Sequence, residues 1–298
     1  MANLRDIRNR ISSIENTQQI TKAMKMVAAA KLRKAQQRML ATRPYANKIQ
    51  SVVGRLVDGT GSENILLRQP ETTERILMIV IGSDRGLCGA FNNNLFKVVE
   101  ESIRTRYAEF QEQGRLDIIT IGRKADAYFR KRKYHVTGSN IGFFDKLNYE
   151  DTAEIMEDAI AWFSEGSYDQ VILAYNEFKS VISQNRLIDE VLPIKPEKLA
   201  GEENEENDAG QTDYIFEPDT ETILSDILPA HLNMQLWRAV LESNASEQGA
   251  RMAAMDNATE NAKELERELR LEYNQARQSA ITTEISEIVS GAAALEDA

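Results

Sequence analysis

The chain is poor in the residues that make disulfide-stapled, metal-binding or membrane-spanning proteins. It has one cysteine, Cys88, in 298 residues. No internal disulfide is possible, and a reducing compartment suits it. Its two histidines, His135 and His231, stand far apart, which leaves no His/Cys cluster of metal-binding spacing. No apolar run nears the roughly 20 residues that a membrane span needs; the longest, Ile76–Ile81, has the length of a strand. Residues 2–10 carry charge from the start, so no secretory signal is expected. Aromatic residues make up only 7% and the net charge is −11, both against nucleic acid as a partner.

Glycine and proline are few, and their distribution organises the rest. From about Pro229 to Leu295 no further proline occurs, and the only glycines are Gly249 and, close to the end, Gly291. Each costs a helix interior about 1 (Gly) or 3 (Pro) kcal/mol against alanine, so this stretch reads as one long helix. Its apolar residues recur at helical spacing: Met234, Trp237, Leu241, Ala245, Met252, Met255, Leu265, Leu269, Tyr273 and Ala276, then Ile281, Ile285, Ile288, Ala292 and Leu295. Residues 1–53 have no glycine and only Pro44, where the helix should kink or end. There Ile7, Ile11, Ile14, Thr21, Ala28, Leu32, Ala35 and Met39 form a second seam, with Gln18 and Lys25 as polar guests. A repeat of about 3.5 residues predicts a left-handed coiled coil. Residues 1–57 carry twelve Lys or Arg against two Asp or Glu, and residues 221–298 six against fourteen, so charge too favours pairing the two ends. The C-terminal helix outruns its partner, which should leave a single helix with an apolar stripe facing outward.

Between the ends, strands and helices alternate. Arg75–Ile81, Leu116–Ile121, Tyr134–Thr137, Val171–Tyr175 and Ser180–Pro193 read as strands, and Asn92–Gln113, Ala125–Arg130 and Tyr149–Phe163 as helices. The expected fold is α/β with long terminal helices: an antiparallel coiled coil of the two ends with an inserted, mostly parallel, Rossmann-like α/β domain. The boundaries are 1–56 for the first helix, 57–74 for a linker, 75–199 for the α/β domain, 200–220 for an acidic loop and foot segment, and 221–298 for the last helix. The turn Gly82–Gly89 is glycine-rich and joins a strand to a helix, where phosphates bind in many α/β folds. It lacks both the Gly-x-Gly-x-x-Gly order and the Gly-x-x-x-x-Gly-Lys-Ser/Thr loop. No acidic residue follows at the second strand end, where Gly122, Arg123 and Lys124 stand. Its glycines are read as aids to close helix–strand packing, and Cys88 as a small buried residue.

Three stretches are specific enough to carry a resemblance: Ile20–Ala35 (ITKAMKMVAAAKLRKA), Ser83–Asn92 (SDRGLCGAFN) and Tyr273–Ala292 (YNQARQSAITTEISEIVSGA). Together they closely resemble the gamma subunit family of the F-type ATP synthase, in the family's order and across nearly the whole chain. The resemblance implies a central rotor shaft, seated in a hexamer of alternating alpha and beta subunits and fixed at its foot to epsilon and the ring of c subunits. It couples ion-driven rotation to conformational change at catalytic sites on beta. It implies no cofactor, metal or catalytic residue on this chain, contact with the membrane only through partners, and a place on the cytoplasmic face of a bacterial inner membrane or its organellar equivalent. By position, Arg251, Gln278, Thr282 and Glu284 match residues that hydrogen-bond to beta-subunit loops. Met24 and Lys25 lie where the shaft meets the moving part of beta, and Tyr214 falls in the foot.

Two departures from the family pattern stand out. Gly249 replaces the usual alanine, and residues 263–272 (KELERELRLE) are unusually charged. The cysteine pair of some photosynthetic relatives, a redox switch, is missing because Cys88 is alone. The alternatives are a static coiled-coil adaptor and a nucleotide-binding α/β protein.

Overall fold

A computed structural model describes residues 4–59, 64–195 and 219–296. The acidic loop and Tyr214 lie outside the described residues. The chain forms two compact units, one of residues 1–28 with 251–298 and the other of residues 29–250.

The larger unit is built on a five-stranded sheet. Its strands are β1 (Ile76–Ile81), β2 (Leu116–Ile121), β3 (Val136–Asn140), β4 (Gln170–Phe178) and β5 (Gln184–Leu192), in the order β3-β2-β1-β4-β5. The first four strands run parallel, and β5 returns antiparallel to β4 as a hairpin. The helices that follow β1, β2 and β3 are α2 (Phe91–Arg106) with a short α3 (Ala108–Glu112), α4 (Arg123–Lys131) and α5 (Glu150–Ser164). The expected helix over 92–113 is thus interrupted at Tyr107, which leaves helical geometry at φ −124°.

Every residue of β1 and β2 is buried, because helices cover both faces and side chains alternate between them. On one face Leu77, Ile79, Ile119, Val171 and Leu173 pack with Phe163 and Met156 of α5 and with segments of the two terminal helices. On the other, Met78, Val80, Ile118 and Ile172 meet Leu95, Phe96 and Val99 of α2 and Phe129 of α4. The third strand lies two residues later than its sequence suggests. Val136–Asn140 (VTGSN) has little apolar signal and pairs as an edge with β2. The linker holds a 3-10 turn, Ile65–Leu67, whose Leu66 is buried in the first of these cores.

The N-terminal edge of the sheet is locked by Asp117, buried on β2. It accepts from Tyr168 Oη (2.7 Å) and Arg75 Nη2 (2.9 Å) and faces His135 Nδ1 (2.5 Å). Burial alone would raise its pKa, but the bonds to Tyr168 and His135 and the Arg75 charge bring it below the ordinary carboxylate range.

The terminal helices are α1 (Leu4–Gly59) and α6 (Thr220–Glu296). Neither proline ends its helix: Pro44 lies inside α1 and Pro229 inside α6. Asp219 caps α6 by accepting from Thr222 N (2.8 Å) and Thr222 Oγ1 (2.7 Å). That cap sets the start upstream of Pro229, and Leu224, Leu228, Leu232 and Leu236 then face the core at i, i+4 spacing. Nothing in the packing demands glycine at 249. A Cβ there would meet the Val181 backbone at 3.5 Å and Phe178 at 3.6 Å, ordinary contact distances.

Candidate functional site

In the smaller unit, α1 and α6 pair antiparallel. Across the pair, Arg8 donates to Tyr273 Oη (2.7 Å), Arg270 to Glu15 (2.7 Å) and Lys25 to Asp256 (2.5 Å), and the Thr21 and Thr259 hydroxyls bond each other (2.8 Å). Ile7, Thr21 and Ala28 are buried and Ile11, Ile14, Gln18 and Lys25 half-buried. These positions alternate by four and three, as knobs-into-holes packing requires. On α6 the matching set is Met255, Thr259, Ala262, Glu266, Leu269, Tyr273 and Ala276. Leu265, expected in the seam, is instead 42% exposed, one position off this repeat.

The charge difference between the two helices is not matched pair for pair across the seam. Among the described residues, Lys25–Asp256 pairs across the seam in the expected sense and Glu15–Arg270 in the reverse. Hydrogen bonding to Glu266, with the charges of Glu266 and Glu15, raises the Arg270 pKa further. Arg10 and Lys22 of the basic helix lie exposed. The polar centre of the seam is the Thr21–Thr259 hydroxyl pair, and Thr259 also donates to Met255 O (2.7 Å). Such a pair fixes register at some cost in apolar burial.

After Ala276 the pairing stops, and every residue from Arg277 to Ala292 is exposed. Ile281, Ile285, Ile288 and Val289 lie within one stripe of this segment, and Ile288 is 67% exposed. The opposite side is polar and small. Thr283, on that side, donates its Oγ1 to Ser279 O (3.0 Å), and Thr282, which borders the stripe seven residues before Val289, donates its Oγ1 to Gln278 O (2.9 Å). Both hydroxyls keep free acceptor capacity toward a neighbour.

The expected contact residues therefore fall into two groups. Gln278, Thr282 and Glu284 are exposed on the unpaired segment of α6. Met24 and Lys25 are half-buried on α1, and Arg251 is buried. The sequence reading missed Ile20 and Val27, which lie exposed just outside the seam, as does Met26. Their position, one residue before the seam residues Thr21 and Ala28, was the available signal.

The glycine-rich turn after β1 is a packing device. A Cβ on Gly82 would fall 2.9 Å from Ala125 Cβ, and one on Gly122 (φ +97°) 3.0 Å from the Gly82 backbone. Ser83 N donates to Asn92 Oδ1 (3.0 Å), Asn92 Nδ2 donates to Ser83 Oγ (2.7 Å), and Cys88 is buried beside them. Among the described residues no group of three or more His, Cys, Asp or Glu is placed to hold a metal ion. No described helix is long and apolar enough to cross a membrane.

Residues 3–295 match the family model described as ATP synthase. The chain is 49% identical to the ATP synthase gamma chain of Salinibacter ruber, covering 100% of this chain and 99% of that one. It belongs to the ATP synthase gamma chain family. Among solved structures it is similar to a chain of the Tetrahymena thermophila mitochondrial ATP synthase central stalk and c-ring. That match has 26% identity and a TM-score of 0.60, over 80% of this chain and 99% of that one. The rotor of the Euglena gracilis mitochondrial enzyme shares the fold at 22% identity, with a TM-score of 0.65 over 93% and 98% of the two chains. Within this gamma family, the antiparallel terminal helices and the inserted α/β domain are the expected architecture. The charged run 263–272 folds here as regular helix, with Glu266 and Leu269 kept in the seam.

Proposed function

We propose that this chain is the central shaft of a rotary ATP synthase, and that it transmits rotation through side-chain contacts while contributing no catalytic residue of its own. The observation that carries this reading is the segment Arg277–Ala292, exposed throughout and bearing an apolar stripe. A contiguous apolar stripe exposed on a single helix marks an interaction surface for a partner. The gamma family supplies one in the hexamer of alpha and beta subunits, while epsilon and the c-ring hold the foot. The membrane, the cytoplasmic face of a bacterial inner membrane, is reached through those partners.

The mechanism is differential binding. A shaft whose faces differ makes different contacts with each beta subunit at each angle, and so shifts each site between its open and closed conformations. Gln278, Thr282 and Glu284 can exchange hydrogen bonds with successive neighbours. Met24 and Lys25, with exposed Ile20 and Val27, form a second surface of contact. Arg251 is assigned to the beta-facing contacts by position, and Tyr214 to the foot.

The test is reconstitution with the alpha and beta subunits of the same source, comparing the full chain with a truncation after Gln278. One copy per hexamer, Mg-ATP hydrolysis by the complex and none by the chain alone are expected. Truncation should lower turnover under load while leaving the nucleotide sites intact. Nucleotide hydrolysis by the isolated chain, or failure to join the hexamer, would overturn the reading.

A further inference from the structure

The C-terminal edge of the sheet holds an arrangement that the rotor reading does not use. Asp84, in the turn after β1, is 9% exposed and collects three backbone N–H groups. Its Oδ1 accepts from Arg123 N (3.0 Å) and Gly142 N (2.8 Å), and its Oδ2 from Phe144 N (3.0 Å). The donors come from two separate loops, the one after β2 and the one after β3.

Each donor is available for a local reason. Arg123 is the first residue of α4, so its N–H has no acceptor within the helix. Gly122 precedes it as the cap and has no side chain to satisfy it. The next orphan, Lys124 N, is taken by Ser83 O (2.9 Å). Gly142 is left-handed at φ +77°, and its N–H and that of Phe144 turn toward the same carboxylate. The close approach of the turns at Gly82 and Gly122 brings Asp84 to this point. A helix N-terminus with further converging N–H groups is how α/β folds hold an oxyanion.

We propose that this edge is an anion site whose ligand is the chain's own Asp84 carboxylate. Asp84 is thus a positioning residue: it ties the loops after β2 and β3 to the turn after β1, and it occupies the place where a solute anion would otherwise sit. The chemical class that fits the site once it is emptied is a small carboxylate, with formate matching the deleted group. The inference rests on the α/β domain alone and stands or falls independently of the rotor reading.

The experiment is chemical rescue in the full chain. Asp84→Ala should lower the thermal midpoint by about 5–10 °C, since three part-buried donors lose a charged acceptor. Formate should raise the variant's midpoint by about 3–5 °C at roughly ten times its Kd. Chloride at the same ionic strength should not, and wild type should not respond to formate. Amide exchange at Arg123, Gly142 and Phe144 should quicken in the variant and slow again with formate. Asp84→Asn supplies a second reading that needs no rescue. Its amide can accept through one oxygen only, so exchange should quicken at Phe144, or at Arg123 and Gly142, but not at all three. An Asp84→Ala midpoint within about 1 °C of wild type, equal stabilisation of both proteins by formate, or unchanged exchange in Asp84→Asn would overturn the proposal.

Discussion

The two units of this chain place their apolar residues differently. In the α/β unit, β1 and β2 are buried along their whole length, and Phe96, Phe129 and Phe163 lie wholly inside. In the paired-helix unit the seam is one residue wide and admits Thr21, Thr259, Gln18 and Glu266, while Ile281, Ile285, Ile288 and Val289 face outward. Two sheet faces covered by helices give a core that satisfies itself. Two helices alone bury a strip and leave the rest of their surface for other molecules. The same aliphatic residue is a stability determinant in one unit and, on the proposed reading, an assembly determinant in the other.

The largest expected effect tests that contrast directly. Phe163→Ala removes a fully buried ring and should destabilise the isolated chain by about 3–5 kcal/mol in urea unfolding. Ile285→Ala, at an exposed position, should stay within about 0.5 kcal/mol on the same measurement yet weaken incorporation into the alpha–beta hexamer. Equal losses of stability would break the comparison.

Acid offers a second way to separate the units, since both histidines lie in residues 29–250. His231 is buried on α6, and desolvation lowers its pKa from 6.5 to about 4. The folded state therefore refuses a proton that the unfolded state accepts. Stability from this group is fully present above pH 6.5 and is lost as pH falls toward 4, a change of about 3 kcal/mol over that window. His231→Leu should flatten the dependence of the urea midpoint on pH there. An unchanged slope would show that other groups set it.

The smallest effect lies in the seam. Thr21→Val or Thr259→Val alone breaks the 2.8 Å hydroxyl pair and should cost about 1 kcal/mol. The double variant should recover most of that loss, because neither hydroxyl is left without its partner. A strictly additive double-variant cycle would mean that the pair carries no coupling.

Much of this architecture was legible in the sequence, and the failures share a cause. Leu116–Ile121 reads as a strand with its observed limits because an unbroken aliphatic run admits few other solutions. The seam on α1 was legible because its 3–4 spacing holds from Ile7 to Met39. Leu265 was misread because apolarity was taken as the signal, while the repeat places Glu266 in that position. Val136–Asn140 was displaced because an edge strand needs pairing partners more than apolar side chains. Pro44 does not end its helix, since one missing N–H costs little in a helix this long, and the last helix begins upstream of Pro229 as its expected start at 221 required. The charge difference between the ends was real, but the structure directs little of it across the seam. The role of Asp84 could not be read from its motif, because its donors are backbone groups far along the chain.

The sheet order has a consequence for how the unassembled subunit behaves. Its two outer strands are poor templates for strand addition. The β3 edge is short, contains Gly138 and changes register against β2; β5 carries Arg186, Asp189 and Glu190 along its length. Short, irregular or charged edges discourage pairing with another chain's backbone. Among the described residues, the large surfaces left for other molecules are therefore helical. On the proposed reading, recognition by these helices would proceed by side chains meeting side chains, a mode that can be made and released repeatedly without exchanging a ladder of backbone hydrogen bonds.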